Sequence, residues 1–415
     1  MSKIIVKNNG ALSGEVTVSG SKNSALPILA SCLLTQGTNI IQGLPNLSDI
    51  NIMYEILSSL GAQINIGKKE TAVNCETITS CTTPYELVNK MRGSFLLAGA
   101  LLARYSCARI CMPGGCPIGS RPVDLHLKGF AAMGADISQG YGYIDLSAEK
   151  LHGAKIYLDF PSVGATENLI MAASLADGET IIENAAAEPE IEDLAHFLTK
   201  RGAIISGAGS DTVHITGVDE LSCTVHKIIP DRIEAGTFMA ALAITRGKGR
   251  VKNVKLDHVR PMIAKLREMG VEIAEEKSAV VIDAARKLSS TDIKTMPFPG
   301  FPTDMQAQFG GLLSTASGTG LIVETVFENR FLHIGELKRM GANIRIEGRT
   351  SVVEGVPQLT GTKVNATDLR GGAALVLAGL AAGGITEVSN VEFIKRGYDN
   401  FTGKLSKLGA DISEE

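Results

Sequence analysis

The sequence predicts an α/β fold in two globular domains, each built from three copies of one repeating unit. Two alternating patterns and their spacing carry that expectation. One phrase is written six times: LSSLGAQI at 57–64, FAAMGADI at 130–137, LTKRGAII at 198–205, LREMGVEI at 266–273, LKRMGANI at 337–344 and LSKLGADI at 405–412. Between the phrases lie six stretches rich in Ala and Gly, at 24–34, 94–103, 165–175, 233–244, 305–315 and 371–382. The phrases recur every 68 to 73 residues, as expected of one supersecondary unit used repeatedly. An open solenoid would stack such units in a line with atypical capping copies. Here all six copies are about equally apolar, so two closed groups of three fit better.

The Ala/Gly stretches are apolar on every face and predict buried helices whose small residues permit close approach. Alternating runs predict strands: GEVTVSG, ARICMPG, KIYLDF, DTVHITG, GLIVETV and GTKVNAT. Each repeated phrase predicts the last turn of an amphipathic helix, closed by Gly61, Gly134, Gly202, Gly270, Gly341 or Gly409, and then a short strand. The helix is clearest over 257–270, where Val259, Ile263, Leu266 and Met269 recur at three- and four-residue steps. The expected unit is a buried helix, a strand, a loop, a surface helix and another strand.

Composition narrows the function. The 415 residues carry 40 Lys+Arg against 44 Asp+Glu, a net charge of −4, so no basic field is present to hold a nucleic acid. With 44% hydrophobic and 20% charged residues, the chain is an ordinary globular one. The longest apolar runs, Phe95–Ala103 and Ala373–Ala382, are too short to span a bilayer. No signal-peptide pattern opens the chain, and a cytoplasmic protein is expected. The seven cysteines (32, 75, 81, 107, 111, 116, 223) form no disulfide framework and predict reduced thiols. Cys107, Cys111 and Cys116 lack the spacing of a zinc knuckle, and no metal is expected. Gly310-Gly311 and Gly371-Gly372 complete no nucleotide-cofactor fingerprint. His126 and His333 are expected to be structural or secondary contacts.

Polar residues gather where the buried helices begin: Lys22-Asn23, Arg92, Ser162, Asp231-Arg232, Asp304 and Asp368-Arg370. Lys22, Arg92, Ser162, Asp231 and Asp304 are spaced by 69 to 73 residues, one per unit. Helix N-termini present unpaired N–H groups and a positive dipole end, a good setting for an anion. Ser162, Asp231, Asp304 and Asp368 are also standard N-cap types, and each aspartate admits either reading. Lys22, Arg92 and Arg370 oppose the dipole and are better explained by a bound anion. The loop PGGCPIGSRPVDLH at 113–126 sets Cys116 among glycines and prolines, five residues from Arg121. A lone cysteine is usually a small hydrophobe. Exposure beside a cation would instead lower its pKa and suit it as general acid or nucleophile. Glu188, Arg330 and Arg396 occupy the corresponding loops of later units.

Together these segments closely resemble the UDP-N-acetylglucosamine 1-carboxyvinyltransferase family. The matching motifs are SGSKNSALPILAS (19–31), PGGCPIGSRPVDLH (113–126), SVGAT (162–166), PDRIEAGTF (230–238), FPTDMQAQF (301–309), ETVFENRF (324–331), ATDLR (366–370) and RGYD (396–399). The resemblance implies an inverted α/β barrel of two three-repeat domains, one covering 22–229 and the other 1–21 with 230–415, with the active site in the cleft. It implies transfer of the enolpyruvyl group of phosphoenolpyruvate to the 3-hydroxyl of UDP-N-acetylglucosamine, the first committed step of peptidoglycan precursor synthesis. By the same resemblance, Lys22, Asn23, Arg121, Arg370 and Arg396 would hold phosphoenolpyruvate. Arg92, Arg121, Pro122, Val123, Asp124, Leu125, Asp304 and Val326 would hold the UDP-sugar, with Ser162 and Val163 as further backbone candidates. Cys116 would donate the proton and Asp304 accept one, with Lys22 and Arg396 completing the catalytic set. No cofactor is implied, and small-molecule substrates are the expected partners of a chain taken as a monomer. Many relatives carry a basic residue where Ala187 stands, and some a histidine where Phe298 stands. Two other functions remain: enolpyruvyl transfer to another acceptor, as in the sibling enolpyruvylshikimate-phosphate synthases, or a non-enzymatic repeat scaffold. The scaffold leaves unexplained why cations, an acid and a thiol occupy equivalent loops.

Overall fold

The computed structural model describes residues 2–112 and 122–415. All six glycines of the repeated phrase take positive φ, from 88° at Gly341 to 111° at Gly61. In every copy the N–H after the glycine donates to the carbonyl five residues back, from Ala62 to Leu57 through Ala410 to Leu405, at 3.0 to 3.1 Å. This is the Schellman ending, whose left-handed residue suits glycine. It turns each surface helix directly into a strand.

The unit holds more strands than the sequence pattern suggests. After the surface helix Leu256–Glu268 come a hairpin, Glu272–Glu276 and Ala279–Asp283, and then an edge strand, Ile293–Lys294. The first hairpin strand reads EIAEE and is largely exposed, so it shows no apolar alternation. The edge strand has two residues, too few for any period. The first is the short strand expected after the glycine ending, marked by that glycine rather than by alternation, whereas the edge strand left no signal in the sequence.

Among the described residues the strands form six sheets, five of four strands and one of three. In the four-stranded sheets a parallel edge strand joins an antiparallel trio. The three-stranded sheet, Cys107–Cys111, Tyr143–Ser147 and Asp136–Gly140, keeps only one parallel bridge, Thr82 to Arg109, in that place.

Two compact units result. One combines residues 2–19 with Pro230–Glu415. Its N-terminal strand Ile4–Lys7 lies between Ile385–Ser389 and Asp411–Glu414, pairing Ile4 with Val388 and Ile5 with Ser413, so the chain start completes the last repeat. The other unit spans the described residues of 20–229. There Val225–Lys227 runs parallel to Thr38–Gln42, and the end of the third repeat completes the first.

Each unit buries three helices that pack on one another: Arg232–Ile244, Gln306–Leu313 and Leu369–Ala381 in the first, Lys22–Ser31, Leu97–Tyr105 and Val163–Ala173 in the second. Small residues permit that approach. A Cβ on Gly99 would lie 2.3 Å from the Asn168 carbonyl oxygen. Leu101 and Leu169 are fully buried at this packing, and truncating either to Ala would cost about 2–5 kcal/mol.

Candidate active site

The six buried-helix starts divide into two kinds. Ser162 accepts from Ala165 N–H at 3.4 Å. Asp231 accepts from Ile233 and Glu234 N–H at 2.8 and 2.9 Å, and Asp368 from Arg370 and Gly371 N–H at 2.9 and 3.0 Å. These three are N-caps. The starts at Lys22, Arg92 and Asp304 have no side-chain cap, and the last two lie on 3-10 turns, Arg92–Leu96 and Thr303–Met305. The capping reading of Asp304 is therefore wrong.

The Asp304 carboxylate is instead held between two arginines. Arg330 Nη2 donates to Oδ1 at 2.6 Å, while Arg370 Nη2 and Nε donate to Oδ2 at 2.9 and 3.2 Å. The arginine side chains are 5% and 2% exposed, whereas the aspartate keeps 26% of its side chain open. Burial alone would raise the Asp304 pKa, but the Arg330 and Arg370 guanidiniums outweigh it and hold the carboxyl well below the usual carboxylate range. Such a group is ionised throughout the physiological range. It is a strong acceptor for a hydroxyl, but takes a proton only if a guanidinium yields its place.

Each arginine is itself anchored. Arg330 Nη1 donates to Thr303 Oγ1 at 3.0 Å, and that hydroxyl donates to Glu324 Oε2 at 2.8 Å. Glu324 Oε1 accepts Val326 N–H, Phe327 N–H and Thr295 Oγ1 at 2.8, 3.1 and 2.9 Å. The Val326 amide is thus committed within the loop. Arg370 lies 5.3 Å from the Tyr398 ring centroid, and the Tyr398 hydroxyl is bound by Thr237 Oγ1 at 2.9 Å and Gln308 Nε2 at 3.0 Å. Arg330 Nε, Arg370 Nη1 and both amide atoms of Gln306 are buried without a partner among the described residues. Polar groups so placed normally find one.

In the 20–229 unit, Lys22 Nζ lies 3.2 Å from Asp49 Oδ2 in a largely buried pair. Asp49 therefore supplies one of the anions that the cations at helix starts called for, and Asp304 supplies another. The Arg92–Leu96 turn and the Asp124–Ala132 helix both pack on Val163–Ala173, bringing Arg92, Asp124, Leu125, Ser162 and Val163 to one neighbourhood. Pro122 and Asp124 are exposed, Val123 and Leu125 half-buried. His126 Nδ1 accepts from Asn168 Nδ2 at 2.9 Å, because the Asn168 oxygen already takes Gly99 N–H at 2.8 Å. Burial, then the nearby Arg92, pushes His126 down to about 3. Burial likewise brings His333 down to about 4, with Arg330 adding to it and Asp368 opposing. Both histidines are neutral at physiological pH.

Asn23 follows Lys22 on the same uncapped start, and Arg396 follows the short helix Val391–Lys395. Cys116 and Arg121 lie outside the described residues. Sequence reasoning placed Arg330 in a loop without pairing it to Asp304, and passed over Glu324 and Tyr398, although all three stand in the quoted motifs. Among the described residues no group of three His, Cys, Asp or Glu side chains is arranged to hold a metal, and no helix is long and apolar enough to cross a membrane.

Residues 6–405 match the family model described as EPSP synthase (3-phosphoshikimate 1-carboxyvinyltransferase). Over 412 residues the chain is 55% identical to UDP-N-acetylglucosamine 1-carboxyvinyltransferase 1 of Caldanaerobacter subterraneus subsp. tengcongensis, covering 99% of each chain. The chain belongs to the UDP-N-acetylglucosamine 1-carboxyvinyltransferases, within the EPSP synthase family. The second such carboxyvinyltransferase of Carboxydothermus hydrogenoformans is 55% identical over 414 residues, again covering 99% of each chain. Among solved structures, the enolpyruvyl transferase NikO from Streptomyces tendae aligns with a TM-score of 0.90 at 27% identity, over 100% of this chain and 98% of its own. The carboxyvinyltransferase fold is thus a two-unit α/β fold, and in this chain it surrounds the buried helices with separate small sheets.

Proposed function

We propose that this chain transfers the enolpyruvyl group of phosphoenolpyruvate to the 3-hydroxyl of UDP-N-acetylglucosamine and releases inorganic phosphate, in the cytoplasm, as the first committed step of peptidoglycan precursor synthesis. The observation that carries this reading is the 55% identity, over 99% of both chains, to a carboxyvinyltransferase named for that acceptor. Loss of the activity would stop wall synthesis, and with it cell shape and division.

The chemistry needs a proton on the methylene carbon of the enol and a hydroxyl oxygen on the adjacent carbon. The tetrahedral adduct then collapses with loss of phosphate. Asp304 supports the second requirement: its ionised, partly open carboxylate accepts the hydroxyl's hydrogen bond and draws the proton as the C–O bond forms. Arg370, already on Asp304 at 2.9 Å, couples that step to an anionic substrate, since a phosphate or carboxylate competing for its guanidinium returns basicity to Asp304. Lys22, Asn23, Arg121 and Arg396 complete the anion set. Arg92, Pro122, Val123, Asp124, Leu125 and Val326 take the UDP-sugar, and Cys116 delivers the proton to carbon.

A phosphate-release assay tests the proposal. With phosphoenolpyruvate, UDP-N-acetylglucosamine should give turnover and 3-phosphoshikimate none. The reverse result would place the chain with the sibling activity, and no release with either acceptor would leave a scaffold. Fosfomycin, a phosphonate epoxide, should add once to the intact chain, at Cys116, and phosphoenolpyruvate should slow the addition. Adducts spread over several cysteines would remove Cys116 from its role.

A further inference from the structure

Two cysteines outside the proposed site lie beside the sheet edge that, among the described residues, keeps a single parallel bridge. The strand Cys107–Cys111 borders its sheet's single parallel bridge, Thr82 to Arg109. Arg109 N–H donates to the Cys81 carbonyl at 2.8 Å, and Thr83 N–H to the Arg109 carbonyl at 3.0 Å. Cys81 and Cys107 thus lie one and two residues ahead of the bridged pair, on adjoining segments. The bridge sets Cys81 opposite Ala108, so the two cysteines are diagonal neighbours. Strands about 4.8 Å apart with a rise of about 3.3 Å per residue put their Cα atoms about 6 Å apart, inside the separations of about 4.4–6.8 Å that a disulfide spans. Both residues line one surface pocket of about 430 Å³, with Thr82, Arg109, Ser147 and Asp145. Cys107 is exposed and Cys81 half-buried. The sulfurs also sense each other: burial, and then hydrogen bonding and repulsion from Cys107, push the Cys81 thiol up to about 12.

We propose that Cys81 and Cys107 form a reversible modification site, closing to a disulfide when the chain meets a hydroperoxide. The exposed Cys107 sulfur attacks the peroxide, the O–O bond breaks, and Cys107 becomes a sulfenic acid as an alcohol or water leaves. The Cys81 sulfur then attacks the Cys107 sulfur, the S–O bond breaks, and hydroxide departs with the Cys81 proton as water. Each sulfur loses one electron and the peroxide gains two. Cys32 and Cys75 are closed to this chemistry because both are fully buried. The cross-link takes the place of a missing strand. In the other five sheets the parallel edge is a strand of two to five residues; here it is one bridge.

The test uses the full chain, reduced and then exposed to hydrogen peroxide. Its mass should fall by two hydrogens, and non-reducing trypsin digestion should join peptides 70–90 and 105–109, which dithiothreitol separates. The oxidised chain should melt several degrees above the reduced one. Cys107→Ser should abolish the joined peptides and the melting shift, whereas Cys223→Ser should keep both. Should Cys107→Ser fail to fold, phenylarsine oxide, which bridges adjacent thiols, should protect Cys81 and Cys107 from alkylation in the unaltered reduced chain. Recovery of the two cysteines singly, as sulfinic or sulfonic acids or joined to other cysteines, would overturn the proposal. So would full alkylation in the presence of the arsenical.

Discussion

Asp231 and Asp304 stand at the starts of successive buried helices in one unit, 73 residues apart, and do opposite things. Asp231 is 4% exposed and spends one carboxylate oxygen on two helix N–H groups. Asp304 sits on a 3-10 turn, and both its oxygens face guanidiniums. At a capped start one oxygen of the side chain is committed to the backbone. At an uncapped start it is available to other partners, and the three uncapped starts carry Lys22-Asn23, Arg92 and Asp304. A repeat scaffold can thus release a helix-start side chain to other partners by giving up a cap worth roughly 1 kcal/mol.

The largest break in this comparison comes from Asp304→Asn. Turnover should fall by roughly two to four orders of magnitude, the scale of a general base. Stability should fall too, by about 3–5 kcal/mol, because an amide leaves two buried guanidiniums without their anion. A melting curve must accompany the assay, and a folded variant with near-parental turnover would remove Asp304 from the chemistry. Asp231→Asn keeps a capping oxygen, so its melting temperature should fall by less than that of Asp304→Asn. An equal loss of stability and turnover there would erase the distinction between the two aspartates.

Tyr398→Phe probes the support of the clamp. Removing the hydroxyl leaves Thr237 and Gln308 one partner short, at about 1–3 kcal/mol. Arg370 keeps its bonds to Asp304, so turnover should drop by less than tenfold. A loss as large as that of Asp304→Asn would mean that Tyr398 does more than hold Arg370 in place. Asp231→Ala should cost about 1 kcal/mol, the value of an N-cap.

What the sequence disclosed follows the range of each signal. The six glycine endings and the caps at Ser162, Asp231 and Asp368 are local, settled within about one helical turn. The buried helices show because their stretches rich in Ala and Gly leave no continuous polar face. Asp304 with Arg330 joins residues 26 apart, and Lys22 with Asp49 joins residues 27 apart, so neither pairing has a local signature. The aspartate's type pointed equally to cap and to base, and only the 3-10 turn that removes its N–H partners decides against the cap.

The smallest expected effect contrasts two carboxyls of opposite pH behaviour. Glu167, on the Val163–Ala173 helix, is 3% exposed. Burial, and then Glu190 and Glu188, raise its pKa well above the ordinary glutamate value of 4.5. The folded state therefore holds a proton that the unfolded chain releases above pH 4.5. Its contribution to stability is full below that pH and is lost as pH rises toward the folded value. Asp304 runs the other way: its depressed pKa stabilises the fold above pH 3.8, and that contribution fades as acid neutralises it. Glu167→Gln keeps the neutral shape and cannot ionise, so it escapes the loss at high pH. Melting temperatures of variant and parent, followed from pH 5 to pH 8, should diverge steadily in the variant's favour. A gap that stays constant with pH would show that Glu167 carries no proton in the folded chain, and the two carboxyls would no longer differ in kind.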